Sequence, residues 1–229
     1  MKIALIGYGS MGKIIESLAG EKGHEVIAII DESDAGLTAE LLASKLNGAD
    51  AAIDFSIAHA VARNTEACVL AGVPLVEGTT GWNAEKDAIT NIVLDGCGSF
   101  VYGANFSIGV NLFYRITEFA SELFSRFHEY EAFIEEQHHS SKKDAPSGTA
   151  LKLKDVVGKH LAVGEIAATR AGNIPGTHRL GFDGSADQLL IEHTARSRDG
   201  FALGAIMAAE WIENKKGFFE FTDVLDSLW

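Results

Sequence analysis

The stretch from Glu135 to Ala150 gathers chemistry in one short connection: His138 and His139, then Lys142 and Lys143, then Asp144-Ala145-Pro146-Ser147-Gly148-Thr149. Histidine titrates near pH 6.5 when unperturbed, so His138 with Lys142 can give and take protons close to neutral pH. Ser147, Gly148 and Thr149 open an expected helix, and a helix start presents backbone N–H groups and hydroxyls to an anion. Together these residues suit proton transfer beside a bound carboxylate or phosphate. A solvated polar turn with a good N-cap is the plain alternative, and it accounts for Ser147 but not for the density of titratable groups.

A second set lies at the start of the chain. Gly7-Tyr8-Gly9-Ser10-Met11-Gly12 has the spacing G-x-G-x-x-G. It follows an apolar run, Lys2 to Ile6, and precedes a helical pattern carrying Ile14, Ile15 and Leu18 on one face. A second apolar run, His24 to Ile30, then ends in Asp31. Strand, glycine turn, helix, strand and acid are the full context of a dinucleotide site: glycines for the turn and for close approach of a pyrophosphate, Asp31 for ribose hydroxyls. A tight strand-to-helix turn without ligand is the competing explanation of the glycines alone.

These groups must be held by elements. Strands are expected at 51–55, 73–77 and 99–102, with helices at 57–71 and 82–93 and a short polar connection at 32–48 that has room for one small helix. This alternation predicts right-handed crossovers and a parallel sheet, with ligands beyond the C-terminal strand ends. Three polar clusters fall there: Gly7 to Gly12, Asp54 to Ser56, and Gly78 to Gly81. The segment 104–111 breaks the alternation and reads as a hinge. Beyond it come a helix at 111–127, a strand at 130–136, the active loop and a helix at 149–161. Strands at 164–170, 178–183 and 188–195 have short glycine-containing turns that suggest antiparallel pairing. A helix at 201–214 ends at Lys215-Lys216-Gly217, and the tail 218–224 is expected to return as a strand.

Composition sets bounds. The chain has 229 residues, enough for one large domain or two small ones. A net charge of −13 argues against nucleic-acid binding, which favours a basic face. Two cysteines, Cys68 and Cys97, form no disulfide framework and no CxxC metal signature. No apolar run reaches the length of a membrane span, and the apolar start is too short for a signal-peptide core, so no membrane partner and a cytoplasmic location are expected. No metal is expected: adjacent His138 and His139 cannot easily share a tetrahedral ion. The other histidines, His178 and His193 among them, are taken as surface or satisfied groups.

With the loop, fingerprint and hinge in place, the whole chain resembles the 4-hydroxy-tetrahydrodipicolinate reductase family, also called dihydrodipicolinate reductase. The most specific match is His138-His139, Lys142 and Asp144 to Thr149. Gly78 to Gly81, 104–111 and Arg196-Ser-Arg-Asp-Gly-Phe-Ala-Leu-Gly204 support it. The resemblance implies an α/β fold, with an N-terminal Rossmann-like parallel-sheet domain (1–105 and 205–229) and an α+β mixed-sheet domain (106–204) for substrate and oligomerisation. It also implies a homotetramer, and hydride transfer from NADH or NADPH to a cyclic dicarboxylate imine in diaminopimelate and lysine biosynthesis.

In that frame His138 and Lys142 are catalytic, His138 being the expected general acid. His139, Lys142, Ser147, Gly148 and Thr149 bind substrate. The cofactor is bordered by Gly7, Tyr8, Gly9, Ser10, Met11, Gly12, Asp31, Phe55, Ser56, Gly78, Thr79, Thr80, Ala104, Asn105 and Phe106. The sequence departs from the family in a short connection after Asp31 and in Glu32, where some members carry an arginine for a 2′-phosphate. NADH is therefore expected, with NADPH possible. Another oxidoreductase of the same plan, or a non-catalytic dinucleotide sensor, are the competing functions; a sensor has no need of the His-His-x-x-Lys loop.

Overall fold

The computed structural model describes residues 1–228. In chain order the elements are β1 (Lys2–Ile6), α1 (Ser10–Glu21), β2 (Glu25–Ile30), α2 (Ala39–Leu46), β3 (Ala51–Asp54), α3 (Val61–Ala71), β4 (Leu75–Glu77), α4 (Lys86–Asp95) and β5 (Ser99–Tyr102). Then follow α5 (Ile108–Phe124), β6 (Glu131–His138), α6 (Gly148–Gly158), β7 (Ala167–Arg170), β8 (Gly176–Asp183), β9 (Gln188–Ala195), α7 (Asp199–Ile212), β10 (Gly217–Glu220) and α8 (Phe221–Asp226). No helix among the described residues is long and apolar enough to cross a membrane.

The chain divides into two compact units, Met1–Ser107 with the chain from Arg198, and Ile108–Ser197. The first is a parallel sheet in the order β10-β5-β4-β3-β1-β2. Its central strands are apolar on both faces, as a sheet covered on both sides requires. Ala4, Ile6, Ala52, Leu75 and Phe100 pack with Leu42, Leu46, Val61, Cys68, Ile89 and Val93 from α2, α3 and α4. The alternate residues Ile3, Leu5, Ile53, Val76 and Val101 are equally buried and point to the other face. There α7 packs against β3, β4, β5 and α1. All C-terminal strand ends therefore open on one edge, where β1, β3 and β4 deliver the glycine turn, Asp54 to Ser56, and Gly78 to Thr80.

The second unit is a mixed sheet, β7-β6-β8-β9. Phe113 of α5 and Leu153 and Val157 of α6 cover one face and pack on Ala132, Ile134, Leu180 and Phe182. Along β6 the residues Ala132, Ile134, Glu136 and His138 are buried in strict alternation. A glutamate and a histidine thus occupy the last two inward positions of a core strand.

Four expectations change. The strand into the active loop continues two residues further, through His138, because Gln137 pairs with Thr177 and His138 with Arg170. Only β6–β8 and β8–β9 are antiparallel; β6–β7 is parallel, since the chain reaches β7 through α6 as a crossover. The tail divides into β10 and α8, the helix being opened by a reciprocal cap between Glu220 and Asp223. The boundary expected at 204/205 falls inside α7. That helix is buried along Ala202, Ala205, Ile206, Ala208 and Ala209 on the first sheet, so it belongs whole to the first unit.

Candidate active site

The glycine turn is built for close approach. Gly7 has φ +85°, and a Cβ there would lie 2.5 Å from the Phe55 carbonyl oxygen; one on Gly12 would lie 2.5 Å from that of Gly7. A side chain at Gly7 would push the turn away from the chain leaving β3, and one at Gly12 would push α1 off the turn. Gly9, the N-cap of α1, faces open space and no side chain caps the helix start. Its first-turn N–H groups therefore suit an anionic group such as a pyrophosphate.

Beside the turn lies a cavity of about 230 Å³. Met11, Phe55, Gly78, Ala104, Asn105 and Phe106 line it, as expected, and Gly103, Arg198 and Phe201 join them. Phe55 and Phe106 meet edge to face at 6.2 Å and make an apolar wall. Arg198 donates from Nη1 to Ser10 Oγ at 2.9 Å, which brings a cation onto the glycine turn from a position 188 residues away. Open helix N–H groups, a flanking arginine and an apolar slot fit a nicotinamide dinucleotide.

The other expected cofactor residues are more inward-looking. Ser56 N–H donates to Asp54 Oδ1 at 2.8 Å and to Thr79 Oγ1 at 3.0 Å, fixing the two loops on each other; Thr80 follows on the same loop. Tyr8 OH donates to Glu16. Asp31 Oδ1 accepts from Ser33 N–H at 2.9 Å and Ser33 Oγ at 2.7 Å, and these bonds hold its carboxyl below the usual range. It is exposed and ionised, with Glu32 next to it. Lys45 pairs with Asp34, and Lys13 lies over the Tyr8 ring, 5.8 Å from its centre.

In the second unit Glu136 is the organising residue. It is 1% exposed, takes Arg170 Nη2 at 2.6 Å on Oε1, and meets His138 Nδ1 through Oε2. Burial pushes its carboxyl up, but Arg170 and His138 more than reverse that and hold it below the usual range. Arg170 also donates to the Asp144 carbonyl at 2.6 Å, and Ser147 N–H donates to Glu136 Oε1 at 3.2 Å, so both ends of the loop are tied to one carboxylate. Burial, opposed by Glu136 and reinforced by Lys142, lowers the His138 pKa below its ordinary value. The ring is therefore neutral at neutral pH without ligand, a correction to the expectation of an unperturbed group.

At the helix start the expectations divide. Ser147 is buried; its Oγ accepts from Ala150 N–H at 3.2 Å and meets His178 Nε2 at 2.9 Å. Its N–H and hydroxyl are thus engaged within the fold. Gly148 is exposed and Thr149 partly so. Lys142 Nζ holds the Asp144 carboxylate at 2.8 Å, and Gly148 N–H acts on that same carboxylate. Asp144 thus sits where an external carboxylate would find its donors. His139, just beyond β6, bonds through Nδ1 to Ser141 Oγ at 2.7 Å and is partly exposed.

His178, expected as a surface or satisfied group, is not at the surface: Nε2 is satisfied by Ser147, while Nδ1 is buried without a partner. It is 5% exposed, its ring lies edge-on to His138 at 5.1 Å, and burial followed by the His138 charge lowers its pKa to about 4. Glu136, His138 and His178 together bring potential ligand atoms within 4.8 Å of one another. Arg170 already fills the Glu136 carboxylate, so an added cation would enter beside a buried positive charge. Of the residues the sequence reading missed, Glu136 had a signal, its i, i+2 relation to His138 on one strand face. Arg198 lay in the stretch Arg196 to Gly204 that supported the family likeness, with no role attached to it; Arg170 and His178 had no signal.

Two protein-family descriptions match the chain: "Dihydrodipicolinate reductase, N-terminus" over residues 1–106 and "Dihydrodipicolinate reductase, C-terminus" over 109–225. The chain is 37% identical to a 4-hydroxy-tetrahydrodipicolinate reductase from Christiangramia forsetii, over 100% of this chain and 99% of that one. It is 34% identical to the same-named protein of Archaeoglobus fulgidus, over 99% and 100%. A dipicolinate-bound dihydrodipicolinate reductase from Paenisporosarcina sp. TG-14 superposes with a TM-score of 0.82 over 97% of this chain and 98% of that one; at 21% identity this likeness speaks for the fold.

Proposed function

We propose a division of labour for the residues above from the premise that this chain belongs to the dihydrodipicolinate reductase family. Its reaction is the NAD(P)H-dependent reduction of 4-hydroxy-tetrahydrodipicolinate to tetrahydrodipicolinate, with loss of water, in diaminopimelate and lysine biosynthesis. The bound nicotinamide supplies the hydride. Gly7 to Gly12 and Arg198 hold the pyrophosphate, Asp31 the adenosine ribose, and Phe55, Ser56, Gly78 to Thr80 and Ala104 to Phe106 border the nicotinamide side. The first unit serves as the dinucleotide domain and the second binds substrate.

The substrate is a dianion. Lys142, Gly148 and Thr149 take one carboxylate, replacing Asp144 as their partner, and His139 contacts the other. Hydride addition builds negative charge on the ring, and a proton must neutralise it. His138 delivers that proton. Burial keeps it neutral in the free enzyme, and a bound dianion beside it favours the charged form. Glu136, itself fixed by Arg170, orients the ring through Nδ1 and leaves Nε2 as the donor. The buried Glu136–His138 pair at the mouth of the active loop carries this reading.

Asp31 and Glu32 place two negative charges where a 2′-phosphate would add roughly −1.5 to −2 more, which supports NADH over NADPH. β9 ends the mixed sheet with Leu189 and Leu190 exposed, which supports a homotetramer assembled through this unit. The enzyme acts in the cytoplasm, on a small dicarboxylate, without nucleic acid or membrane.

The decisive assay follows NADH consumption with freshly generated substrate. His138→Gln lowers kcat by about two to four orders of magnitude with NADH binding retained. Thr149→Val weakens pyridine-2,6-dicarboxylate by about 1.5–3 kcal/mol. Unchanged kcat in the first variant, or unchanged inhibitor affinity in the second, removes that residue from the mechanism.

A further inference from the structure

Beneath the cofactor edge of the first unit lies a pair of acids that no step above uses. Asp54 and Glu77 end the adjacent parallel strands β3 and β4, directly paired in register, and both are 0% exposed. Residues in register on neighbouring strands point to the same face at close range, so the two carboxyls face each other. Among the described residues neither is paired with a lysine or arginine. Asp54 Oδ1 accepts from Ser56 N–H at 2.8 Å and Asp54 Oδ2 from Asn64 Nδ2 at 2.7 Å, while Glu77 Oε1 accepts from Thr79 N–H at 2.7 Å. Of the four carboxyl oxygens of this pair, Glu77 Oε2 is the one left without a hydrogen-bond partner.

Two buried carboxylates without a cation cannot both ionise. We infer that Glu77 is held as a neutral carboxylic acid whose Oε2–H is donated to the Asp54 carboxylate, and that this shared proton positions the loops bordering the cofactor. Asp54 already carries three N–H or O–H donors, with Thr79 Oγ1 at 3.4 Å, and is the better carboxylate; Glu77 has one. Burial, then the Asp54 charge, pushes the Glu77 carboxyl well up, in the same direction.

The surrounding titratable groups do not alter the assignment. Cys68 of α3 is buried and its thiol is pushed up, first by burial and then by both acids. From β5, Tyr102 pairs with Glu77 in register, but its hydroxyl is held by Lys86 of α4 at 2.6 Å. Arg63 reaches Asn64 Oδ1, not the acids. The consequence is local. One proton closes a ring from Asp54 through Ser56 and Thr79 to Glu77, and that ring sets Phe55 and Gly78, both of which line the cavity. Glu77 is thus a positioning residue, and the claim rests on that cavity taking the nicotinamide cofactor.

Infrared difference spectroscopy of the intact enzyme at about pH 8 tests the proton without reference to ligand. The wild type shows the C=O stretch of a protonated carboxylic acid, and Glu77→Gln removes it. Kinetics tests the positioning. Glu77→Gln keeps a donor toward Asp54 and holds KM for NADH within about threefold, whereas Glu77→Leu, of similar size, raises it tenfold or more with kcat changed less. Absence of the acid band in the wild type, or Gln as defective as Leu, overturns the inference. If the Leu variant does not fold, the band and the Gln variant still decide. Failure of the wild type to bind NADH would instead sink the cofactor reading and leave the band untouched.

Discussion

His178 links the fold of the active loop to pH. In the native state it is buried against His138 and bonded to Ser147 Oγ, with its pKa lowered from 6.5 to about 4. In the unfolded chain it returns to about 6.5. Above pH 6.5 the ring is neutral in both states and its contribution is intact. As pH falls from 6.5 toward 4 the unfolded chain takes up a proton that the native state refuses, so stability drops. A shift of about 2.5 units at 1.36 kcal/mol each gives about 3 kcal/mol over that window, of which about 2.5 kcal/mol is lost by pH 4.5.

His138 and His193 have lowered values too and add to the acid sensitivity of the wild type, so the informative quantity is a difference. Urea unfolding of wild type and His178→Gln is measured at about pH 7.5 and pH 4.5. Glutamine cannot titrate but can still meet Ser147, and the variant loses about 2.5 kcal/mol less between the two conditions. An equal loss in both proteins would show that His178 is not a buried neutral group, and would remove the argument that it supports the Ser147 cap.

Cofactor choice and backbone packing give two further tests. Glu32→Arg replaces a repelling charge with a pairing one, so kcat/KM for NADPH relative to NADH rises by about five- to thirtyfold at low salt, or 1–2 kcal/mol; an unchanged ratio would show that these charges do not decide the preference. A Cβ on Gly204 would lie 1.8 Å from the Phe106 carbonyl oxygen, so Gly204→Ala forces α7 away from the cavity wall and lowers stability by about 3 kcal/mol. Its KM for NADH rises as well, and a melting temperature equal to wild type would refute the close contact.

What the chain reveals on its own is what neighbours in sequence decide. Gly7 to Gly12 between an apolar strand and an amphipathic helix, Asp31 at the next strand end, and Ser147 ahead of α6 are local patterns, and local geometry enforces them: a turn with positive φ, a two-residue strand period, a helix cap. They were enough for the α/β class, the dinucleotide edge, and the placing of His138, Lys142 and Thr149 in and beside one connection. The same logic overreached at the tail, where an apolar run read as one strand divides into β10 and α8.

Tertiary structure decided the partners. Arg170 reaches Glu136 only because β7 lies parallel to β6, and His178 reaches His138 and Ser147 only through β8. Arg198 meets Ser10 because α7 returns to the first sheet. Asp54 and Glu77, separated by a whole helix, become a buried pair through strand register alone. Such contacts are set by which faces must be covered, and burial then changes the chemistry. It makes His138 neutral and draws the Ser147 hydroxyl into bonds with Ala150 and His178, while Arg170 keeps Glu136 ionised against it. Protonation state follows from desolvation and the nearest charge, and both depend on residues that approach only once the chain is folded.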